Sequence, residues 1–73
     1  MRLDEIKSNL VYKIIGYKSS TELKRRLNEL GFSCGAKVSL LKKSILKKSL
    51  LLNVDGANYS LKNIIAKQII VSL

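Results

Sequence analysis

Ser19-Ser20-Thr21-Glu22-Leu23-Lys24-Arg25-Arg26-Leu27-Asn28-Glu29-Leu30-Gly31-Phe32-Ser33-Cys34-Gly35-Ala36-Lys37-Val38 contains a whole helix with both of its ends, and then the start of a strand. Ser19 and Glu22 are spaced as a capping box, in which hydroxyl and carboxylate each accept from a free helix N–H. Leu23, Leu27 and Leu30 follow at spacings of four and three, an apolar stripe for the core, while Lys24, Arg25, Asn28 and Glu29 face elsewhere. Gly31 falls where the chain must turn left-handed after a helix, and Phe32 stands where it can fold back on Leu27 in a Schellman arrangement. From Ala36 the period changes to two, with Ala36, Val38 and Leu40 on one face and Lys37 and Ser39 on the other, which predicts a strand.

Before the helix, Leu10 to Tyr17 reads as a first strand, with Tyr12 and Ile14 inward and a bulge or bend at Gly16. After it, Leu50, Leu52 and Val54 point inward from another strand. Asp55-Gly56 then marks a two-residue hairpin, because both central positions of a type I′ turn need positive φ. Ala57, Tyr59 and Leu61 continue the inward face, Lys62 to Ala66 forms a short helical loop, and Ile69-Ile70-Val71 closes the chain as a strand. Five short strands with one helix inserted after the first predict a mainly β fold, a small, partly open SH3-like barrel. No Pro, linker or repeat interrupts the sequence, so residues 1–73 read as one domain.

The core must be aliphatic: thirteen Leu, eight Ile and four Val serve it, with Phe32 and three Tyr as aromatic bulk. With one cysteine and no histidine, neither a disulfide nor a histidine-based metal site can staple a single chain. A lone cysteine and an N-terminus without a secretory h-region indicate a reducing, cytoplasmic setting. Apolar runs such as Leu50-Leu51-Leu52 fall far short of the about 20 residues that a membrane span requires. The formal charge of +9 raises the question of a phosphate-bearing partner, but eleven of the fourteen cations are Lys and only three are Arg. Base readout and bidentate phosphate contacts favour Arg, and a solvated lysine-rich surface accounts for the charge equally well.

Arg26-Leu27-Asn28-Glu29-Leu30-Gly31-Phe32-Ser33-Cys34-Gly35-Ala36-Lys37-Val38 resembles the helix-end signature of the ferrous iron transport protein A family. Leu3 and Ile6, Ile14 near Gly16, and the closing Ala66, Ile69 and Val71 extend the resemblance over nearly the whole chain. Cys34 replaces a usual Pro, and Asn9 a usual Gly, a change that Asn tolerates because it enters the left-handed region readily. The resemblance reaches the C-terminal domain of iron-dependent repressors too, but with no winged-helix part preceding, the transport accessory is the better fit. It implies a non-enzymatic factor that docks on the cytoplasmic, GTP-binding part of the membrane Fe(II) transporter and modulates uptake.

The residues permit little else. An Fe(II) cage wants converging His, carboxylate or thiolate groups, and the acids are only Asp4, Glu5, Glu22, Glu29 and Asp55. No His can serve Ser or Cys as a base, and no Gly-rich phosphate loop is present, so catalytic, metal and cofactor sites are all expected to be absent. Cys34 beside Lys37 is a candidate reactive thiol, although turn cysteines are more often inert. Two surfaces are candidates for a partner. One is the helix-to-turn corner of Lys24, Arg25, Asn28, Phe32, Ser33 and Cys34. The other is the hairpin Lys42-Lys43-Ser44-Ile45-Leu46-Lys47-Lys48, whose paired lysines flank an apolar tip suited to anionic headgroups or an acidic protein. Outward Leu41, Leu51 and Ile70 raise self-association by edge-strand pairing. A nucleic-acid-binding module is the alternative function, opposed by the scarcity of Arg and of aromatics among the basic residues.

Overall fold

β-Branched and alternating segments pair with their neighbours in the chain, except that the last strand returns to pair with the first. The computed structural model describes residues 1–18, 21–44, 46 and 48–73. A 3-10 turn at Leu3–Glu5 precedes β1 (Val11–Tyr17), α1 (Thr21–Glu29), β2 (Lys37–Lys43), β3 (Ser49–Val54), β4 (Ala57–Lys62), α2 (Asn63–Ala66) and β5 (Ile69–Ser72). The strands form one antiparallel sheet in the order β4-β3-β2-β1-β5, curled into a small open barrel of the SH3-like kind. Met1 and Val71 exchange backbone hydrogen bonds, with Val71 N–H donating to the Met1 carbonyl at 2.7 Å and the Met1 ammonium to the Val71 carbonyl at 3.0 Å. The N-terminus thereby covers part of the β5 edge, which leaves β4 as the edge open to pairing.

The expected inward faces of β1, β2 and β3 form the core: Tyr12, Ile14, Val38, Leu40, Leu50, Leu52 and Val54 are all buried, joined by Leu3, Ile6, Ala66, Ile69 and Val71. Buried Tyr12 keeps its hydroxyl satisfied by accepting from the Lys7 N–H at 3.1 Å. A bulge between Ile14 and Gly16 interrupts the β1–β5 ladder at the predicted place. Asp55 and Gly56 have φ of +50° and +91°, the pair of positive values that the two-residue hairpin requires. Asn9, at φ +68°, occupies the left-handed region that its side chain tolerates.

Helix α1 ends as its sequence specifies. Phe32 N–H donates to the Leu27 carbonyl at 2.8 Å and Gly31 N–H to the Asn28 carbonyl at 3.1 Å, the two bonds of a Schellman motif, with Gly31 at φ +102°. The proposed capping box lies partly outside the described residues, because Ser19 is among those not described. Two expectations are corrected. Leu30 is 52% exposed, because the helix stops at Glu29 and Leu30 swings out with the turn, leaving Leu27 buried and Leu23 half-buried. Ala57 is exposed, as the first residue of β4 next to the Asp55-Gly56 turn, although its ladder partner Val54 is buried; Tyr59 is half-buried and Leu61 buried.

Candidate functional site

The corner between β1 and α1 is built around Tyr17, at the last position of β1. Its hydroxyl donates to the Phe32 carbonyl oxygen, with Asn28 Oδ1 also in reach at 3.1 Å. The Cys34 side chain interacts electrostatically with the same hydroxyl, and Lys24 Nζ lies 5.9 Å from the ring centroid, in cation–π range. Burial pushes the Tyr17 phenol above its ordinary 10.0, with a smaller contribution from the charge of Cys34. The loop after the helix is stitched to β1: Gly35 N–H donates to the Ile14 carbonyl at 2.8 Å, and Ile14 N–H to the Ala36 carbonyl at 3.0 Å. The loop after the helix is therefore tied to β1 by its own backbone.

Of the corner residues expected from the sequence, Lys24, Asn28 and Cys34 meet at Tyr17, Arg25 is exposed on the same helix, and Ser33 is half-buried. Phe32 does not belong on this surface. It is 1% exposed and packs on Tyr59, ring centroids 5.2 Å apart and tilted at 57°, because the Schellman turn aims its side chain inward. Tyr17 was not singled out by the sequence reading. The signal was its amphipathic ring at the end of a strand, where an apolar body and a polar tip can both be used. Tyr17→Phe is expected to cost about 1 kcal/mol, since it deletes a donor from a partly buried carbonyl. Urea denaturation measures it, and an unchanged midpoint would show that the hydroxyl holds nothing.

The second surface lies at the far end of β2, seven residues long, so about 20 Å separates it from the corner. Lys42, Lys43 and Lys48 are exposed there, and Leu46 at the tip is 73% exposed. Ile45 and Lys47 lie outside the described residues. Ser44 holds the tip: its Oγ accepts from Lys48 N–H at 2.9 Å and from Ser49 N–H at 3.2 Å. The two candidate surfaces do not form one site.

With the barrel and both surfaces in place, the comparisons decide the family. The model of the FeoA domain matches residues 1–73. The chain belongs to the FeoA domain family. This family is linked to ferrous iron transport. The FeoA domain is similar to the solution structure of FeoA from Chlorobium tepidum, at 26% identity and TM-score 0.89, covering 100% of this chain and 70% of that one. It is similar also to FeoA of Stenotrophomonas maltophilia complexed with zinc, described as a procaryotic SH3 domain protein and a suggested ferrous iron transport activating factor. There the identity is 26% and the TM-score 0.81, with 99% of this chain and 89% of that one covered. ScaR with bound Zn2+ matches at 26% identity and TM-score 0.84, over 99% of this chain but 36% of its own. No curated protein matches the sequence.

The zinc in the Stenotrophomonas structure makes the donor set of this FeoA domain worth testing. Asp4 and Glu5 are engaged with Arg2, whose Nε lies 3.1 Å from Asp4 Oδ1 and 3.6 Å from Glu5 Oε1. Arg2 N–H donates to Glu5 Oε1 at 2.8 Å, and this backbone bond is the main reason that the Glu5 carboxyl sits below its ordinary 4.5. The pair thus neutralises Arg2. Among the described residues no three His, Cys, Asp or Glu side chains converge, and the sequence has no His. This donor set does not fit a transition-metal site within one chain.

Proposed function

We propose that this FeoA domain is a non-enzymatic, cytoplasmic accessory factor of ferrous iron uptake that binds the cytoplasmic, GTP-binding part of a membrane Fe(II) transporter and modulates it. The observation that carries this reading is the FeoA-domain match over residues 1–73. The description of the Stenotrophomonas relative as a suggested transport activating factor supports the same role. The residue inventory is in keeping with action by contact: the sequence has no His to serve Ser or Cys as a base, and the carboxylates at the N-terminus serve Arg2. Among the described residues, no helix is long and apolar enough to cross a membrane.

The corner around Tyr17 suits docking, because its backbone is fixed to β1 before any partner arrives and little further ordering is needed on binding. Lys24 and Arg25 supply cationic contacts beside an aromatic ring, a combination frequent among residues that dominate interface energies. The experiment is a titration of the chain against the transporter's cytoplasmic domain without nucleotide, with GDP and with a GTP analogue. Saturable binding in at least one state is expected, weakened about 10-fold or more by the double substitution Lys24→Glu, Arg25→Glu. Absence of binding in every state would overturn the reading.

A further inference from the structure

We propose that the outer face of the β2–β3 hairpin is a docking surface for an anionic phospholipid bilayer. This goes beyond the transporter reading and does not depend on it. A bulge between Leu40 and Lys42 shifts the β2 register so that Lys42 stands opposite Leu51, which in turn stands opposite Ser60 on β4. A lysine is thereby set beside an outward leucine. Leu51 is 38% exposed, and beside it lie Leu46 at the tip and exposed Lys48 just before β3; Leu41, 48% exposed, and Lys43, exposed across from Leu50, stand on the adjoining part of β2. Lys42, Ser44, Leu46, Lys48, Ser49 and Leu51 line an open groove of about 790 Å³ that continues to Ser60.

Charge selects the occupant. Between Lys37 and Val54 the sequence has five lysines and no acid, and among the described residues both ion pairs belong to Arg2, so Lys42, Lys43 and Lys48 form none. A second copy would set lysines against lysines. Nucleic acid would be met without an arginine or an aromatic ring on the patch. An anionic bilayer satisfies both components: leucines enter the boundary between headgroups and acyl chains, while the lysine stems bury and their ammonium groups stay among the phosphates. The Lys48 backbone is held on both sides, by Ser44 Oγ and by Asn63 N–H donating to its carbonyl at 2.9 Å, so the face is preformed.

The test is co-sedimentation of the full chain with vesicles of phosphatidylcholine alone and of phosphatidylcholine mixed with phosphatidylglycerol in a two-to-one ratio. Binding is expected on the mixed vesicles, weakening steeply with added salt, and not on phosphatidylcholine alone. Each lysine near the surface is expected to add about a fivefold factor, so the triple variant K42Q/K43Q/K48Q loses about 100-fold. Leu46→Ser loses about 10-fold on the mixed vesicles while keeping the salt dependence, because it removes apolar burial and not charge. The charge-matched variant K13Q/K18Q/K67Q, placed away from the hairpin, changes binding by less than about threefold. Circular dichroism establishes that every variant is folded. No sedimentation with mixed vesicles at low salt would overturn the proposal, as would equal losses from the two triple variants. Tighter binding to single-stranded DNA at matched phosphate would overturn it in favour of nucleic acid.

Discussion

Phe32→Ala is expected to destabilise the domain by about 3–5 kcal/mol, the usual cost of truncating a fully buried phenylalanine. The ring is 1% exposed and makes the one aromatic contact recorded among the described residues, tilted on Tyr59. For 73 residues a total stability of roughly 4–11 kcal/mol is normal, so this single change removes a large fraction of it. Urea titration should move the midpoint down by roughly 3 M, given the shallow slope of about 1 kcal/mol per molar in small domains. Phe32→Leu should recover most of the loss, costing about 1.5 kcal/mol. A cost for Phe32→Ala below about 1 kcal/mol would mean that the ring is not core. It would then belong to the exposed corner with Lys24 and Arg25.

Gly31→Val is the second large effect. The backbone at Gly31 has φ +102°, and an added Cβ would meet Tyr59 Oη at 3.4 Å. A β-branched residue is strained in that conformation, at about 2–3 kcal/mol, and any relief by rotating φ would break the two bonds that close α1. A fall in Tm of roughly 10–20 °C is expected for a domain of this size. Gly16→Ala is the internal control: nothing lies within 4 Å of its added Cβ and its φ is ordinary, so stability should stay within about 0.5 kcal/mol. Equal losses at both glycines would remove the conformational explanation.

Both effects act at the corner that presents Lys24 and Arg25. Loosening the Schellman turn or its buried ring should therefore weaken partner binding along with stability, whereas Tyr17→Phe perturbs the corner with little change to the core. That difference separates a docking role for the corner from a purely structural one. The lysine hairpin, held by Ser44 at the opposite end of β2, should respond to none of these substitutions.

Much of the architecture is legible in the residues because its signals are local. The end of α1 rests on hydrogen bonds spanning three and five positions among Leu27, Asn28, Gly31 and Phe32, and the Asp55-Gly56 turn on two positive φ values. Alternation of Val38, Leu40, Leu50 and Leu52 needs only the side-chain period of a strand. The sequence by itself thus determined the number and order of the strands and of the helix after the first, the chemistry of their ends, and the scarcity of metal and catalytic donors. The tertiary structure alone decided which side chains meet. Tyr17 reaches Asn28, Phe32 and Cys34 only because the loop folds back on β1, and Lys42 faces Leu51 only because of a bulge that no local pattern in β2 announces. Leu30 fits the apolar stripe yet stands in solvent, since the helix has already ended beneath it. The physical reason is range: caps and turns are fixed by neighbours in the chain, whereas register and burial are fixed by partners tens of residues away.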